Sequence, residues 1–235
     1  MTIKAILFDK DGTLVDFNAT WFAIGDKMAL EAAGGDRALA NALLERAGYD
    51  FAAGRFRADS VFAAGTNAQI VDLWYPDADA VQRRDRIDHF DVVTASEGAA
   101  RAVALPGVLD ALTALHRRGL RLAVATNDST QGAERTLATL GVSQLFEAAY
   151  GYDAVANPKP APDVIIAFAD MTGLKPSEIA MVGDNNHDME TGRAAGAGLR
   201  VAVLSGTGTR DTLEPLAHVV LGSIADLPGY LNGSA

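Results

Sequence analysis

The sequence contains no cysteine among its 235 residues. This absence excludes disulfide bonds, thiol nucleophiles and cysteine-ligated zinc. No apolar run approaches the roughly 18 residues that a membrane-spanning helix needs. Acidic residues outnumber basic ones, and the formal net charge of −10 argues against a nucleic acid or an anionic membrane as a partner.

The N-terminus carries no long apolar stretch of the kind found in signal peptides. Cleavage there would also remove the segment around Asp9, which carries the functional prediction below. We therefore expect a cytoplasmic location. The length suits one large or two small domains, and the composition, 49% hydrophobic and 21% charged, is ordinary for a globular protein.

Apolar runs that alternate with helical patterns predict the fold. Residues 3–8 and 120–126 are largely apolar runs, each with one basic residue near its start, the pattern of parallel strands covered on both faces. Further strands are predicted, with helices between them, at 148–150, 179–183, 199–204 and 218–221. The alternation predicts an α/β fold with a Rossmann-like, doubly wound and mainly parallel sheet.

The region from residue 16 to residue 96 has a different pattern, because it looks helical throughout. One of its helices begins at an N-cap residue, Asp36, which leucines at helical spacing follow. We therefore predict two domains. Residues 1–15 and 97–235 form the α/β core, and residues 16–96 form an all-helical cap inserted after the first strand.

Two carboxylates follow the first predicted strand directly. Asp9 and Asp11 are separated by one residue, and Gly12 comes next. One carboxylate of such a pair can attack an electrophile while the other transfers a proton. Because two crowded carboxylates repel each other, the pair also predicts a divalent cation nearby.

Other polar residues follow later strands, at the edge where doubly wound sheets bind their ligands. Thr126 and Asn127 either bind a phosphate or belong to an ordinary helix cap. Lys159 lies between prolines that direct its ammonium, unless this segment is an exposed turn. Asp184 and Asp188 either offer oxygen ligands to a hard cation or cap a helix and carry a loop charge.

In this order, the motifs resemble those of the haloacid dehalogenase-like hydrolase superfamily, in its phosphoglycolate phosphatase-like branch with a helical cap after the first strand. The resemblance covers essentially the whole chain. Its motifs are Phe8-Asp9-Lys10-Asp11-Gly12-Thr13-Leu14-Val15-Asp16, Ala125-Thr126-Asn127, Pro158-Lys159-Pro160-Ala161-Pro162-Asp163, and Gly183-Asp184 followed by Asp188.

The resemblance implies a Mg²⁺-dependent phosphatase that hydrolyses a small phosphomonoester such as 2-phosphoglycolate. Asp9 would be the nucleophile and form an aspartyl-phosphate. Asp11 would protonate the leaving alcohol and then activate water. The dehalogenases that gave the superfamily its name lack this second aspartate in the family pattern. The presence of Asp11 therefore favours phosphoryl transfer over dehalogenation. Lys10 varies in the family and is given no catalytic role.

The resemblance also implies the ligands. Asp9, the backbone carbonyl of Asp11 and Asp184 would hold Mg²⁺, with waters completing the octahedron, and Asp188 would orient these waters or the catalytic lysine, Lys159. That lysine would bind the phosphoryl group together with two residues after the second strand, Thr126 and Asn127.

The cap should select the leaving group. Arg55 and Arg57, beside a glycine, could bind a second anionic group of the substrate, such as a carboxylate, or could form a solvated turn. Trp21 and Phe22 could line the cleft between cap and core or belong to the core of the cap.

The motifs are compatible with other functions. A phosphosugar mutase of the β-phosphoglucomutase type would carry nearly identical motifs. Phosphonate hydrolysis is disfavoured, because that branch uses a cap lysine and the only one here, Lys27, lies too early in the chain. A catalytically silent binding or regulatory protein would tolerate the loss of a motif residue, and none is lost. The expected partner is a small-molecule phosphomonoester, bound by a monomer or homodimer.

Overall fold

The structure is a computed structural model that describes residues 2–233. These residues form eight β-strands and eleven α-helices. The strands are β1 (Ala5–Phe8), β2 (Tyr49–Asp50), β3 (Arg55–Phe56), β4 (Arg121–Ala125), β5 (Ala148–Tyr150), β6 (Ile179–Gly183), β7 (Leu199–Val203) and β8 (Val219–Leu221). The helices are α1 (Phe17–Ala32), α2 (Arg37–Ala47), α3 (Val61–Ala64), α4 (Asn67–Trp74), α5 (Ala80–Arg101), α6 (Val108–Arg117), α7 (Thr130–Thr139), α8 (Asp163–Thr172), α9 (Asn186–Ala195), α10 (Arg210–Leu213) and α11 (Leu227–Gly233).

Six strands form one parallel sheet in the order β5-β4-β1-β6-β7-β8. The chain enters at β1, adds β4 and β5 on one side, and then returns to add β6, β7 and β8 on the other. The strand order therefore reverses between β1 and β6, which is where ligands bind in such sheets. The predicted α/β, doubly wound fold is confirmed.

Strand β1 is apolar along its whole length because helices cover both of its faces. Ile6 and Phe8 belong to the hydrophobic core that includes residues of α6 and α7. Ala5 and Leu7 belong to a second core, on the opposite face, with residues of α8. All four residues are fully buried. The loop that follows β1 thus begins from a rigid central strand.

The cap region has a hydrophobic core of its own, rich in aromatic rings. The rings of Phe56 and Phe62 stack with centroids 4.6 Å apart, and Trp21 packs edge-on against Phe62. Trp21 therefore belongs to the core of the cap, while Phe22 is partly exposed and packs against Tyr49. This core holds the helices that face the ends of the sheet strands.

The cap is mainly helical rather than all-helical, because β2 and β3 form a short antiparallel hairpin. The Asp50 side chain accepts hydrogen bonds from the backbone N–H groups of Ala52 and Ala53, which closes the turn. Such an aspartate-based turn competes with helix formation. The sequence did not predict this hairpin.

Helix α5 continues without a break to Arg101, past residue 96, at which the predicted cap ends. The division into core and cap domains at residues 15/16 and 96/97 therefore stays a prediction. Within residues 2–233, the helices are too short or too polar to cross a membrane.

Candidate active site

A cleft lies between the carboxyl ends of β1, β4 and β6 and the cap. It encloses about 620 Å³, its open mouth included. Residues from both sides line it: from the core Asp9, Asp11, Thr126, Asn127, Asp128, Lys159, Asp184, Asn185, His187 and Asp188, and from the cap Phe17, Trp21, Phe62, Ala63, Ala64, Gly65, Asn67, Ile70 and Thr94.

A buried lysine joins two carboxylates at the core side of the cleft. Lys159 Nζ lies 2.6 Å from Asp9 Oδ1 and 2.6 Å from Asp188 Oδ1. Burial lowers the pKa of Lys159, but the two carboxylates outweigh that effect and hold the pKa above its usual value. The lysine is therefore a fixed positive charge, and the predicted convergence of these three residues is observed.

Asp9, Asp184 and Asp188 form a group that could hold a divalent cation. One carboxylate oxygen from each lies within 4.8 Å of the others, and all three residues are buried. Burial raises the pKa of Asp9 to about 7, although Lys159 opposes this shift. Burial, with Asp9 and Asp188 nearby, also raises the pKa of Asp184. A hard divalent cation would offset the cost of burying these carboxylates together in their charged form. Carboxylate oxygens are ligands that such a cation prefers.

The Asp184 carboxylate lies in a pocket of backbone. Gly12 has φ +83°, and a Cβ there would lie 2.7 Å from Asp184 Cγ. A Cβ on Gly206 would lie 1.9 Å from Asp184 Oδ2, which accepts a hydrogen bond from the Thr207 backbone N–H at 2.7 Å. The sequence prediction missed the loop of residues 205–208. The sequence feature that could have identified this loop is the glycine-rich Ser-Gly-Thr-Gly stretch after β7. It lies at the same edge of the sheet as the predicted site residues.

Asp11 has different partners from Asp9, although only one residue separates them. Its Oδ1 accepts a hydrogen bond from Trp21 Nε1 at 2.6 Å, and its Oδ2 lies 2.5 Å from Lys10 Nζ. The Asp11 side chain is not part of the carboxylate group formed by Asp9 and its two partners. The paired aspartates are thus separated in space into two different environments.

Thr126 and Asn127 follow β4 and line the cleft, as predicted. Thr126 Oγ1 accepts a hydrogen bond from the Asp128 backbone N–H at 3.1 Å. The Asn127 side chain donates to the carbonyl oxygens of Lys159 in the core and Ala64 in the cap, at 2.9 and 2.8 Å. Asn127 therefore ties the two walls of the cleft together.

Further polar contacts join the cap to the core. His187 Nδ1 lies 3.1 Å from the Ala64 carbonyl oxygen. Asn186 Nδ2 donates to Asp59 Oδ2 at 2.6 Å, and the Tyr152 hydroxyl donates to Asp91. Because the Ala64 carbonyl also accepts from Asn127, the end of α3 contacts the core through two side chains.

The two cap arginines do not reach the cleft. Both are exposed, and neither lines it. Arg57 Nη2 instead donates to the Glu45 carbonyl oxygen at 2.9 Å, and Arg55 lies in the hairpin strand β3. The structure therefore favours the solvated turn, the alternative that the sequence left open, over binding of a substrate carboxylate by these arginines. Lys27 also lies outside the cleft, where it forms an exposed ion pair with Glu97.

The family model of the haloacid dehalogenase-like hydrolases matches residues 3–196. The chain therefore belongs to this family, as its motifs predict. The predicted hydrolase of the phosphatase type is confirmed as well.

The chain is also similar to particular members of the family. A phosphoglycolate phosphatase of Salmonella typhimurium is 33% identical over 207 residues, which cover 83% of this chain and 79% of that protein. The crystal structure of a predicted phosphoglycolate phosphatase from Haemophilus somnus has a TM-score of 0.74 at 22% identity and covers 98% of both chains. A haloacid dehalogenase-like family hydrolase from Streptococcus pneumoniae has a TM-score of 0.72 at 21% identity, over 97% of this chain and 98% of that one.

Proposed function

We propose that this protein is a Mg²⁺-dependent phosphatase that hydrolyses a small phosphomonoester of the 2-phosphoglycolate type through an aspartyl-phosphate on Asp9. The observation that carries the proposal is the buried group of Asp9, Lys159, Asp184 and Asp188 at the reversal point of the sheet. The 33% identity to a phosphoglycolate phosphatase supports the substrate class.

Asp9 is proposed as the nucleophile. It lies directly after the central strand, lines the cleft, and is 7% exposed, so substrate can reach its carboxylate while bulk water is largely excluded. An anionic carboxylate and an anionic phosphate ester repel each other. The Lys159 ammonium, 2.6 Å from Asp9, reduces this repulsion where the new oxygen–phosphorus bond forms.

Asp9, Asp184 and Asp188 are the residues that would hold Mg²⁺, together with the Asp11 backbone carbonyl that the family resemblance implies. When bound, Mg²⁺ would offset the excess of carboxylates and polarise the phosphoryl oxygens. Asp188 also fixes Lys159 through their direct contact. Its side chain therefore orients the lysine toward the transferring phosphoryl group.

The phosphoryl group would lie between Asp9 and the end of β4. There the Thr126 hydroxyl, the Asn127 backbone amide and Lys159 are the proposed donors to its oxygens. Asp11 would give a proton to the departing alcohol oxygen and then take one from the attacking water. Because Asp11 lines the cleft apart from the Asp9 group, it can act on the alcohol without competing for the cation.

The cap side of the cleft would contact the alcohol. Its surface is formed mainly by Trp21, Phe62 and Ile70, and its polar side chains come from Asn67 and Thr94. A cleft lined on both sides and carrying a few polar side chains suits a small metabolite. Since no arginine of residues 2–233 lines the cleft, other donors would bind a substrate carboxylate. The cytoplasmic location and the monomeric or homodimeric state stay predictions.

Release of inorganic phosphate from 2-phosphoglycolate tests the proposal. We expect turnover with Mg²⁺, none after chelation, and none in Asp9→Asn, while Asp211→Asn, which changes an exposed aspartate, keeps full activity. If the wild type releases no more phosphate than Asp9→Asn from a panel of small phosphomonoesters, the catalytic proposal fails. Formation of an isomerised sugar phosphate in place of inorganic phosphate would instead identify a mutase.

A further inference from the structure

Lys10 is a buried cation for which the proposed reaction has no role. Its side chain is 2% exposed, and it does not line the cleft. Lysine is rarely buried to this degree unless its charge is paired. Its ammonium lies 2.5 Å from Asp11 Oδ2 and 3.2 Å from Asp128 Oδ2.

The Lys10 ammonium has two close neighbours besides Asp11. Asp128 Oδ1 accepts a hydrogen bond from the Ser129 backbone N–H at 2.7 Å, which anchors that carboxylate at the start of α7. The Trp21 ring lies 5.1 Å from the ammonium, within cation–π range. Lys10 is therefore held by Asp128 and by the Trp21 ring as well as by Asp11.

The two oxygens of Asp11 differ in what they face. Oδ2 contacts Lys10, which lies outside the cleft, whereas Oδ1 accepts from Trp21 Nε1, and Trp21 lines the cleft. Oδ1 is thus the Asp11 oxygen that contacts a residue lining the cleft. It is also the oxygen proposed to give its proton to the substrate, and its contact with the indole N–H helps to orient it.

We propose that Lys10 is a positioning residue for Asp11: its buried ammonium holds Oδ2 and so presents Oδ1 to the leaving group. The inference rests on the phosphatase reaction proposed above. In that reaction an Asp9 oxygen bonds to phosphorus as the bond from phosphorus to the alcohol oxygen breaks. The electron pair of the broken bond stays on the alcohol oxygen, which takes the proton from Oδ1. Without Lys10 the carboxyl group can rotate, and this proton is misplaced.

The indole N–H signals of the protein test the positioning directly. The chain has two tryptophans, so a ¹⁵N-labelled sample gives two such signals. Trp21 donates to Asp11, and Trp74 donates to the Leu43 carbonyl oxygen at 3.0 Å, away from the cleft. In Lys10→Met we expect the Trp21 signal to shift or broaden while the Trp74 signal stays. Lys4→Met, which removes an exposed lysine, should shift neither.

The dependence of the rate on the leaving group tests the consequence for the reaction. The alcohol of 2-phosphoglycolate leaves poorly without a proton, whereas p-nitrophenolate leaves readily. In Lys10→Met we expect kcat/KM to fall at least about tenfold for 2-phosphoglycolate and less than about threefold for p-nitrophenyl phosphate. This constant reports the steps up to departure of the alcohol, before Asp11 acts on water. A purely structural role would lower both values equally.

Further variants keep the test decisive if Lys10→Met folds poorly, because that change leaves Asp11 and Asp128 without a counter-charge. The double variant Lys10→Met/Asp128→Asn removes one of the two carboxylates and should still show the selective loss. Lys10→Arg keeps the charge and should recover part of the kcat/KM that Lys10→Met loses for 2-phosphoglycolate.

An unmoved Trp21 signal, or equal losses for both substrates, overturns the proposal. If the wild type hydrolyses neither substrate, the proposed function fails, and the indole signals still decide whether Lys10 positions Asp11.

Discussion

The core wall and the cap wall of the cleft present different chemistry. The core wall is charged: Asp9, Lys159 and Asp188 are buried and joined by short contacts, with Asp184 beside them. The cap wall is largely aromatic and aliphatic, with Trp21 as its one contact to a catalytic carboxylate. We therefore expect the core wall to hold the phosphoryl group and a cation whatever the alcohol is, and the cap wall to contact the alcohol.

The largest effect is expected from a substitution at the centre of the core wall. Asp9→Asn removes the nucleophile but keeps the size of the side chain, so we expect kcat to fall by at least about 10⁴-fold. Phosphate release from 2-phosphoglycolate measures it. A variant that keeps a tenth of the wild-type rate would contradict the role of Asp9 as nucleophile.

Removal of Mg²⁺ should inactivate the enzyme and lower its stability more at high pH. Without a cation, folded Asp9 keeps its proton up to a pKa of about 7, whereas the ordinary value is 3.8. The folded state then binds more protons than the unfolded state between these values, so its free energy of unfolding falls as pH rises through this window. Mg²⁺ replaces the proton. We therefore expect Mg²⁺ to raise Tm more at about pH 8 than at about pH 5. An equal rise at both would contradict a cation bound by Asp9.

The fixed positive charge of the core wall is tested by Lys159→Met. We expect kcat to fall about 10²- to 10³-fold, because the lysine acts on charge that develops during phosphoryl transfer. Lys175→Met, which changes an exposed lysine, serves as the control and should keep the wild-type rate. A change in KM alone would show that Lys159 only binds the substrate.

The contact of the cap wall with the catalytic acid is tested by Trp21→Phe. This change keeps most of the ring and removes the N–H that reaches Asp11, so we expect kcat/KM for 2-phosphoglycolate to fall about tenfold. Trp74→Phe is the matched control, since it also removes a buried indole N–H from the cap but does so away from the cleft. Equal losses in the two variants would mean that cap stability, and not the contact with Asp11, is responsible.

The smallest effect is expected at the two exposed arginines. Arg55→Ala and Arg57→Ala should change the preference for 2-phosphoglycolate over a neutral-alcohol phosphate by less than about twofold. The ratio of the two kcat/KM values measures this preference. A loss of preference in either variant would show that the hairpin moves into the cleft during turnover.

The core wall was predictable from the sequence because strand ends in a doubly wound sheet meet at one edge. Asp9, Lys159 and Asp184 each follow a recognisable apolar run or a proline-fixed turn, so their convergence follows from the order of the elements. The loop of residues 205–208 lies at the same edge. It was missed because its shortest hydrogen bond to Asp184 comes from a backbone N–H, which leaves little signal in side-chain type.

The cap wall was not predictable in the same way. The helix face that lines the cleft depends on how the cap helices pack. Trp21, for example, belongs to the hydrophobic core of the cap and also lines the cleft. Arg55 and Arg57 resembled anion ligands only by residue type. Lys10 was assigned no catalytic role because this position varies in the family. Its second partner, Asp128, comes from a distant part of the chain that the sequence could not pair with it.

Trapping the covalent intermediate tests the central claim most directly. Wild-type enzyme is quenched during turnover of 2-phosphoglycolate with Mg²⁺ and treated with borohydride, which reduces an aspartyl-phosphate to homoserine, and its peptides are then analysed by mass spectrometry. We expect homoserine at position 9 and at none of positions 11, 184 and 188. Steady phosphate release with reduction at another aspartate, or with no reduction at any, would contradict it.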